Sequence, residues 1–354
     1  MTPLEAVIAG QIQATGPLRM DDYMRLCLLH PEHGYYATRD PLGVQGDFTT
    51  APEISQMFGE LLGLALAQAW LDQGAPGAFV LAEPGPGRGT LMADILRATR
   101  AVSGFHAAAR VHLVEASPAL RKVQRKTLAG VDVTWHDSLE TLPAAPLFCV
   151  ANEFFDALPV RQLVRDGTGW RERVIGLRDG RLEPGLTEVK SVPLLDCRLA
   201  DTSDGDLVEY CPEGVYWARA LGQRVAKHGG TAILVDYGDW RSLGDTVQAV
   251  RGHTTAKITE TPGNADLSAH VDFEALAQAA APARHSRLTP QGVFLERLGI
   301  TARAQALATA LTGDRLDTHV AAHRRLTHPD EMGTLFKVMA LYPEGAALPP
   351  GLEP

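Results

Sequence analysis

"LAEPGPGRGT", residues 81–90, is the stretch whose reading decides the fold. A short apolar run ends at Glu83, and glycines follow at Gly85, Gly87 and Gly89. Glycine lets the backbone turn sharply and lets a ligand approach it closely. A phosphate loop of the G-x-x-x-x-G-K-[ST] type needs a lysine on the phosphates, but Gly89 is followed by Thr90. A dinucleotide turn of the G-x-G-x-x-G type needs a third glycine where Thr90 stands. What remains is E-x-G-x-G-x-G, with an acid at the very end of the apolar run.

Around this turn the sequence alternates between strand and helix patterns. "AFVLAE" reads as a buried strand and "TLMADILRATR" as the helix after it. "RVHLVEAS" with "PALRKVQRKTL" repeats the unit, "VTWHDS" is a short third strand, "PLFCVANEFF" a fourth and "GTAILVDYG" a fifth. Continuous apolar strands separated by helices predict an α/β, doubly wound, mainly parallel sheet of the Rossmann-like kind. Residues 1–70 read as a helical segment around one glycine-rich loop. In "GVQGDFTTAPEIS", Thr50 and Glu53 have capping-box spacing and Pro52 sits in the first turn, so the loop feeds a helix N-terminus. The segment "VRDGTGWRERVIGLRDGRLEPGL" alternates and carries turn dipeptides, predicting antiparallel hairpins inserted into the core. The expected division is 1–70, then a core over 71–162 and 206–354, with a β-rich accessory region at 163–205. "TLFKVMAL" reads as the final strand.

The acid before the glycines separates the ligand classes. A carboxylate beside a pyrophosphate is repelled, whereas beside an ammonium it is favoured. S-adenosylmethionine has an α-ammonium, no phosphate, and a ribose to be held at the second strand. Glu115, ending "RVHLVE", is placed to accept from ribose hydroxyls, and Asp137, after the third strand, from an adenine amino group. Ala116 and Ser138, which follow these acids, are counted with them. Asn152, Glu153 and Asp156 in "ANEFFDALP" fall at the same sheet edge. A carboxylate is the natural holder of a planar guanidinium acceptor, and two acids a turn apart suit that role better than one.

The formal net charge of -9 argues against a nucleic-acid backbone as partner, and leaves room for a cationic substrate or a basic protein segment. The four cysteines make no C-x-x-C and fit reduced thiols, from which a cytoplasmic location is expected. No signal peptide or membrane-spanning run is read. Cys27, His30 and His33 lack a second ligand pair, so no metal is expected. His270 is read as sitting at a helix start. No G-x-S-x-G or H-E-x-x-H motif is present.

With these residues in hand, the chain resembles the MidA family of class I S-adenosylmethionine-dependent methyltransferases. The resemblance runs through "DYMRLCLLHPEHGYY" (22–36), "GDFTTAPEISQMFGELLG" (46–63), "GPGRGTLMADILR" (85–97), "VHLVEASPALR" (111–121), "ANEFFDALPVRQ" (151–162), "DLSAHVDF" (266–273), "QGVFLERLGITARA" (291–304) and "MGTLFKV" (332–338). It implies cofactor contacts at Glu83, Gly85, Gly87, Glu115 and Asp137. It also implies a loop of Gly46, Asp47, Phe48, Thr49 and Thr50 folding over the cofactor. The implied acceptor and partner is the 49-kDa-type subunit of respiratory complex I, with one arginine dimethylated symmetrically. A homodimer stays open. One departure is Pro84, where family members carry an aliphatic residue; a bent strand end there would displace Glu83. Three rival readings remain: a non-catalytic assembly chaperone, a methyltransferase acting on a small molecule, and an NAD-dependent oxidoreductase that Thr90 disfavours.

Overall fold

The computed structural model describes residues 2–38, 49–252 and 254–354. At its centre lie β1 (Phe79–Pro84), β2 (Ala109–Val114), β3 (Val133–His136), β4 (Leu147–Asn152), β5 (Gly230–Asp239) and β6 (Phe336–Tyr342). Their spatial order is β6-β5-β4-β1-β2-β3. The first five are mutually parallel and β6 runs antiparallel against β5. The order of the strands reverses between β1 and β4, the switch point beside which open α/β sheets bind ligands at their carboxyl ends.

Alternation along each strand feeds two apolar layers. Phe79, Leu81, Phe148, Val150, Ile233 and Val235 pack on one face, under α1 (Gln56–Asp72) and α2 (Thr90–Ala98). Val80, Ala82, Cys149, Ala151, Ala232 and Leu234 pack on the other, under the helices Pro212–His228 and Phe273–Ala279. Helices on both faces explain why these strands read as unbroken apolar runs. A third helix, α3 (Pro118–Thr127), follows β2; it buries Leu120 and Gln124, and its cap residue Ser117 accepts from the N–H of Leu120.

The antiparallel hairpins Arg161–Asp166, Gly169–Arg178 and Arg181–Leu186 are present. Their sheet extends beyond 163–205 at both ends: it starts at Arg161 and gains Leu207–Tyr210 as a further strand. It also takes Leu18–Arg19 from the N-terminal segment. The helices Pro3–Thr15 and Met20–Leu29 bury Leu4, Ile8, Tyr23 and Met24 against Ile175, Leu182, Ala249 and Leu267. Early and middle parts of the chain therefore share one core, a pairing that local pattern does not encode.

The capping box expected at Thr50 and Glu53 does not form. Thr50 precedes a single turn, Ala51–Ile54, without a side-chain cap, and Ser55 then breaks the helix and caps α1 instead. Glu53 turns outward from its own helix and accepts from the Thr90 hydroxyl at the start of α2. No helix among the described residues is long and apolar enough to cross a membrane.

Candidate functional site

The β1–α2 turn is built on glycines in the left-handed region: Gly85 at φ 61, Gly87 at φ 52 and Gly89 at φ 82. A Cβ at Gly85 would lie 2.8 Å from the Phe154 ring, so the turn also needs glycine for space. Pro84 does not bend the strand. Glu83 stays in register with Leu113 and Pro84 with Val114, and the Gly85 N–H donates to the Val114 carbonyl at 3.0 Å.

Glu83 is buried, and burial pushes its carboxyl up to about 8 against the opposing N–H of Met92 in the first turn of α2. That contact is a helix-capping role in its own right. The second oxygen, Oε2, has no partner among the described residues. An orphaned buried carboxyl oxygen beside a glycine turn fits a cationic group such as the α-ammonium of S-adenosylmethionine.

Glu115, where β2 ends, accepts from the Ser117 N–H at 2.8 Å and from Gln124 Nε2 at 3.1 Å, and burial raises its carboxyl above the ordinary value. Gln124 is fully buried on α3. Its amide also donates to the Gly87 carbonyl at 2.8 Å, and its carbonyl accepts from Trp135 Nε1 at 2.9 Å. One side chain thus ties the glycine turn, the β2 acid and β3 together. The sequence reading missed it. The signal was a lone amide one helical turn from Leu120 and from Leu128, both of which are buried.

Asp137 departs from this tight arrangement: its side chain is 88% exposed and meets Arg121 on the surface. Ala116 is exposed and Ser138 half-buried, its carbonyl accepting from the Thr141 hydroxyl at 2.9 Å. Thr49 lies beside Thr50 ahead of the Ala51–Ile54 turn, whereas Gly46, Asp47 and Phe48 lie outside the described residues.

The second half of the site sits where β4 ends. Asn152 Nδ2 donates to Glu153 Oε1 at 3.0 Å, and the Ala51 N–H donates to the same oxygen at 2.9 Å. Glu153 has φ 49, a conformation that side chains rarely adopt. Burial pushes its carboxyl up to about 7, with the N–H of Ala51 opposing and Asp156 adding to the rise. Asp156 is raised to about 6, also by burial, with the Tyr237 hydroxyl bonded to it. Asp156 Oδ1 and Asn152 Oδ1 have no partner among the described residues. Raised carboxyl values beside unpartnered oxygens make these groups candidates for meeting a ligand.

Beneath them, and also missed from sequence, Asp236 Oδ2 on β5 accepts from the N–H groups of Phe154, Phe155 and Asp156 at 3.1, 2.9 and 3.3 Å. An acid inside the apolar run "TAILVDYG" was the available signal. His270 precedes the helix Phe273–Ala279, but its ring packs edge-on against Tyr237 with centroids 5.4 Å apart. His30 caps locally: its Nδ1 accepts from the N–H groups of Glu32 and His33, each at 3.2 Å. Among the described residues no group of three His, Cys, Asp or Glu side chains is arranged to hold a metal ion.

A cleft of about 940 Å³ lies elsewhere, between Pro184–Leu186 and Ala256–Thr259, and holds none of these groups.

A family model of S-adenosyl-L-methionine-dependent methyltransferases matches residues 61–291. The Bos taurus protein named "Protein arginine methyltransferase NDUFAF7, mitochondrial" is 33% identical across 97% of this chain and 84% of its own length. Its Homo sapiens counterpart is 34% identical across 97% and 84%. A Burkholderia thailandensis protein crystallised with S-adenosyl-homocysteine bound superposes with a TM-score of 0.85 at 28% identity, over 98% of this chain and 93% of its own. The mitochondrial relatives overturn the cytoplasmic location expected from the cysteines. Reduced thiols separate oxidising from reducing compartments and do not distinguish one reducing compartment from another.

Proposed function

The chain belongs to the family of S-adenosyl-L-methionine-dependent methyltransferases, and from that premise we propose that it methylates an arginine side chain of a protein. The observation that carries this reading is the pair of half-buried, desolvated carboxyls, Glu153 at about 7 and Asp156 at about 6, with one oxygen of Asp156 unpartnered among the described residues. Two desolvated acids side by side are costly unless a cation joins them. A guanidinium has five N–H donors in a plane and meets carboxylates side-on, which lysine does not. The relatives' printed names support the same acceptor.

In this reading Glu83, the Gly85–Gly89 turn and Glu115 hold the cofactor, with Gln124 fixing the last two against each other. Ala116, Asp137 and Ser138 line the approach to its adenine end, and Thr49 belongs to the loop that covers it. The bound cofactor supplies an electrophilic methyl on a sulfonium. Glu153 and Asp156 orient the guanidinium, and Asn152 holds Glu153 in place. Each methyl gained by a guanidinium nitrogen requires one proton to leave it, and a carboxylate whose value lies near neutrality is matched to take it. Alignment of donor and acceptor supplies much of the rate in such a displacement.

The finer acceptor is an arginine of the 49-kDa-type subunit of respiratory complex I, dimethylated symmetrically; the family resemblance supports it. The experiment is transfer of labelled methyl from S-adenosylmethionine into an extract of cells lacking this protein, with Gly87→Val as control. A single labelled band that yields symmetric dimethylarginine on digestion is expected, and mass spectrometry identifies the subunit. Label confined to small molecules overturns the acceptor. Cofactor binding without any transfer, in intact assembly intermediates as well as extracts, leaves a binding chaperone.

A further inference from the structure

We propose that Asp236 is a positioning residue for the acceptor side of the site: its carboxylate anchors the turn that presents Glu153 and Asp156. The inference rests on the reading of those two acids as the guanidinium holders. Asp236 is fully buried, one residue beyond Val235. Val235 pairs with Asn152, the last residue of β4, and accepts from the Glu153 N–H at 2.9 Å. At that point the β4–β5 ladder ends, and the next three N–H groups have no strand to bond. They converge instead on one oxygen of Asp236, while its other oxygen accepts from the Tyr237 N–H at 3.0 Å.

Three successive N–H groups aimed at one point form a small acceptor-binding concavity, and here the protein fills it with a carboxyl oxygen of its own. Burial and the neighbouring Asp156 and Glu153 hold that acid well above the ordinary value. The arrangement explains how Glu153 persists at φ 49. A strained residue survives only where its surroundings over-determine it. Glu153 is held by Val235 behind, Ala51 and Asn152 at its carboxylate, and Asp236 on the three residues ahead. Tyr237, next on β5, bonds the Asp156 side chain, so two adjacent β5 residues fix both the backbone and the second carboxylate. The rest of the surroundings leave Asp236 this task. Lys337, its cross-strand neighbour on β6, directs its ammonium to the carbonyls of Gly238 and Thr334.

The test compares Asp236→Leu with Asp236→Asn in the full chain, reading amide hydrogen exchange of residues 153–157, affinity for S-adenosyl-homocysteine, and the KM and kcat of methyl transfer. Leucine removes every acceptor. Asparagine keeps a carbonyl for the three N–H groups but sets a donor against the Tyr237 N–H. Exchange should accelerate in the order wild type, Asn, Leu, and kcat should fall in the same order, by about 100-fold for Leu, the loss expected of a misplaced reacting group. Affinity for S-adenosyl-homocysteine and the KM for S-adenosylmethionine should stay within about twofold, because the cofactor side keeps its own contacts. Unchanged exchange in Asp236→Leu, or equal values for Leu and Asn, overturns the inference. If the leucine variant does not fold, Asp236→Asn decides alone: faster exchange with lower kcat supports the anchor, and wild-type behaviour removes it. A wild-type protein that transfers no methyl would sink the proposed function, and the exchange data would still decide the anchor.

Discussion

The two halves of the proposed site, cofactor side and acceptor side, are both strand-end turns carrying a desolvated acid, yet they are held in different ways. On the cofactor side the contacts are mostly local. Glu83 meets Met92, nine residues on, and Glu115 meets Ser117 and Gln124, two and nine residues on. On the acceptor side the contacts span the chain. Glu153 is bonded by Ala51 across 102 residues, and the turn after it by Asp236 across 82, 81 and 80. The first half assembles with its own β-α-β unit. The second exists only once β4, β5 and the Ala51–Ile54 turn have met.

The strongest way to break this comparison is Glu153→Gln. Methyl transfer should fall by about 100- to 10,000-fold, the range for losing a positioned proton acceptor, with S-adenosyl-homocysteine affinity within about twofold of wild type. Parallel loss of binding in calorimetry would join the two halves into one structural unit. Next is Gly87→Val, which places a β-branched residue at φ 52. Affinity for S-adenosyl-homocysteine should drop by about 100-fold or more, while exchange at residues 153–157 stays normal. Retained affinity would remove the glycine turn from the cofactor site.

A smaller effect concerns pH. The Glu83 carboxyl lies at about 8 in the folded protein against an ordinary 4.5. Between those values the folded state holds a proton that the unfolded chain has released, so this group's contribution to stability falls as pH rises through the window. Glu83→Gln keeps the shape without the titration. Its urea midpoint should decline less steeply than wild type across that window, and an identical slope would show that Glu83 titrates normally. The smallest effect belongs to Asp137→Ala. With an 88% exposed side chain, its loss should change affinity by about twofold at most, since exposed pairs contribute little. A tenfold loss would show that the cofactor draws Asp137 in.

Legibility in the sequence follows the same division. The strands from Phe79 to Asn152, the helices between them and the acids at their ends were readable because apolar period and glycine spacing are local signals. Gln124 and Asp236 were not read, although each interrupts an apolar pattern, because nothing local says what a buried polar group will bond. The capping box at Thr50 and Glu53 was legible and misleading: the same spacing permits Glu53 to serve Thr90 once α2 lies beside it. The accessory sheet read as hairpins, but its use of Leu18–Arg19 and Leu207–Tyr210 did not appear.

Local pattern alone specifies the parallel α/β core, the glycine turn without a phosphate lysine, and the acids at successive strand ends. Periodicity and backbone conformational limits act over a few residues, so they are written locally. Only the tertiary structure decided which of those acids are buried, which oxygens are left without partners, and how the Glu153 turn is held. Each of these depends on what the folded chain brings alongside, and desolvation and hydrogen bonding exist only between groups that have met.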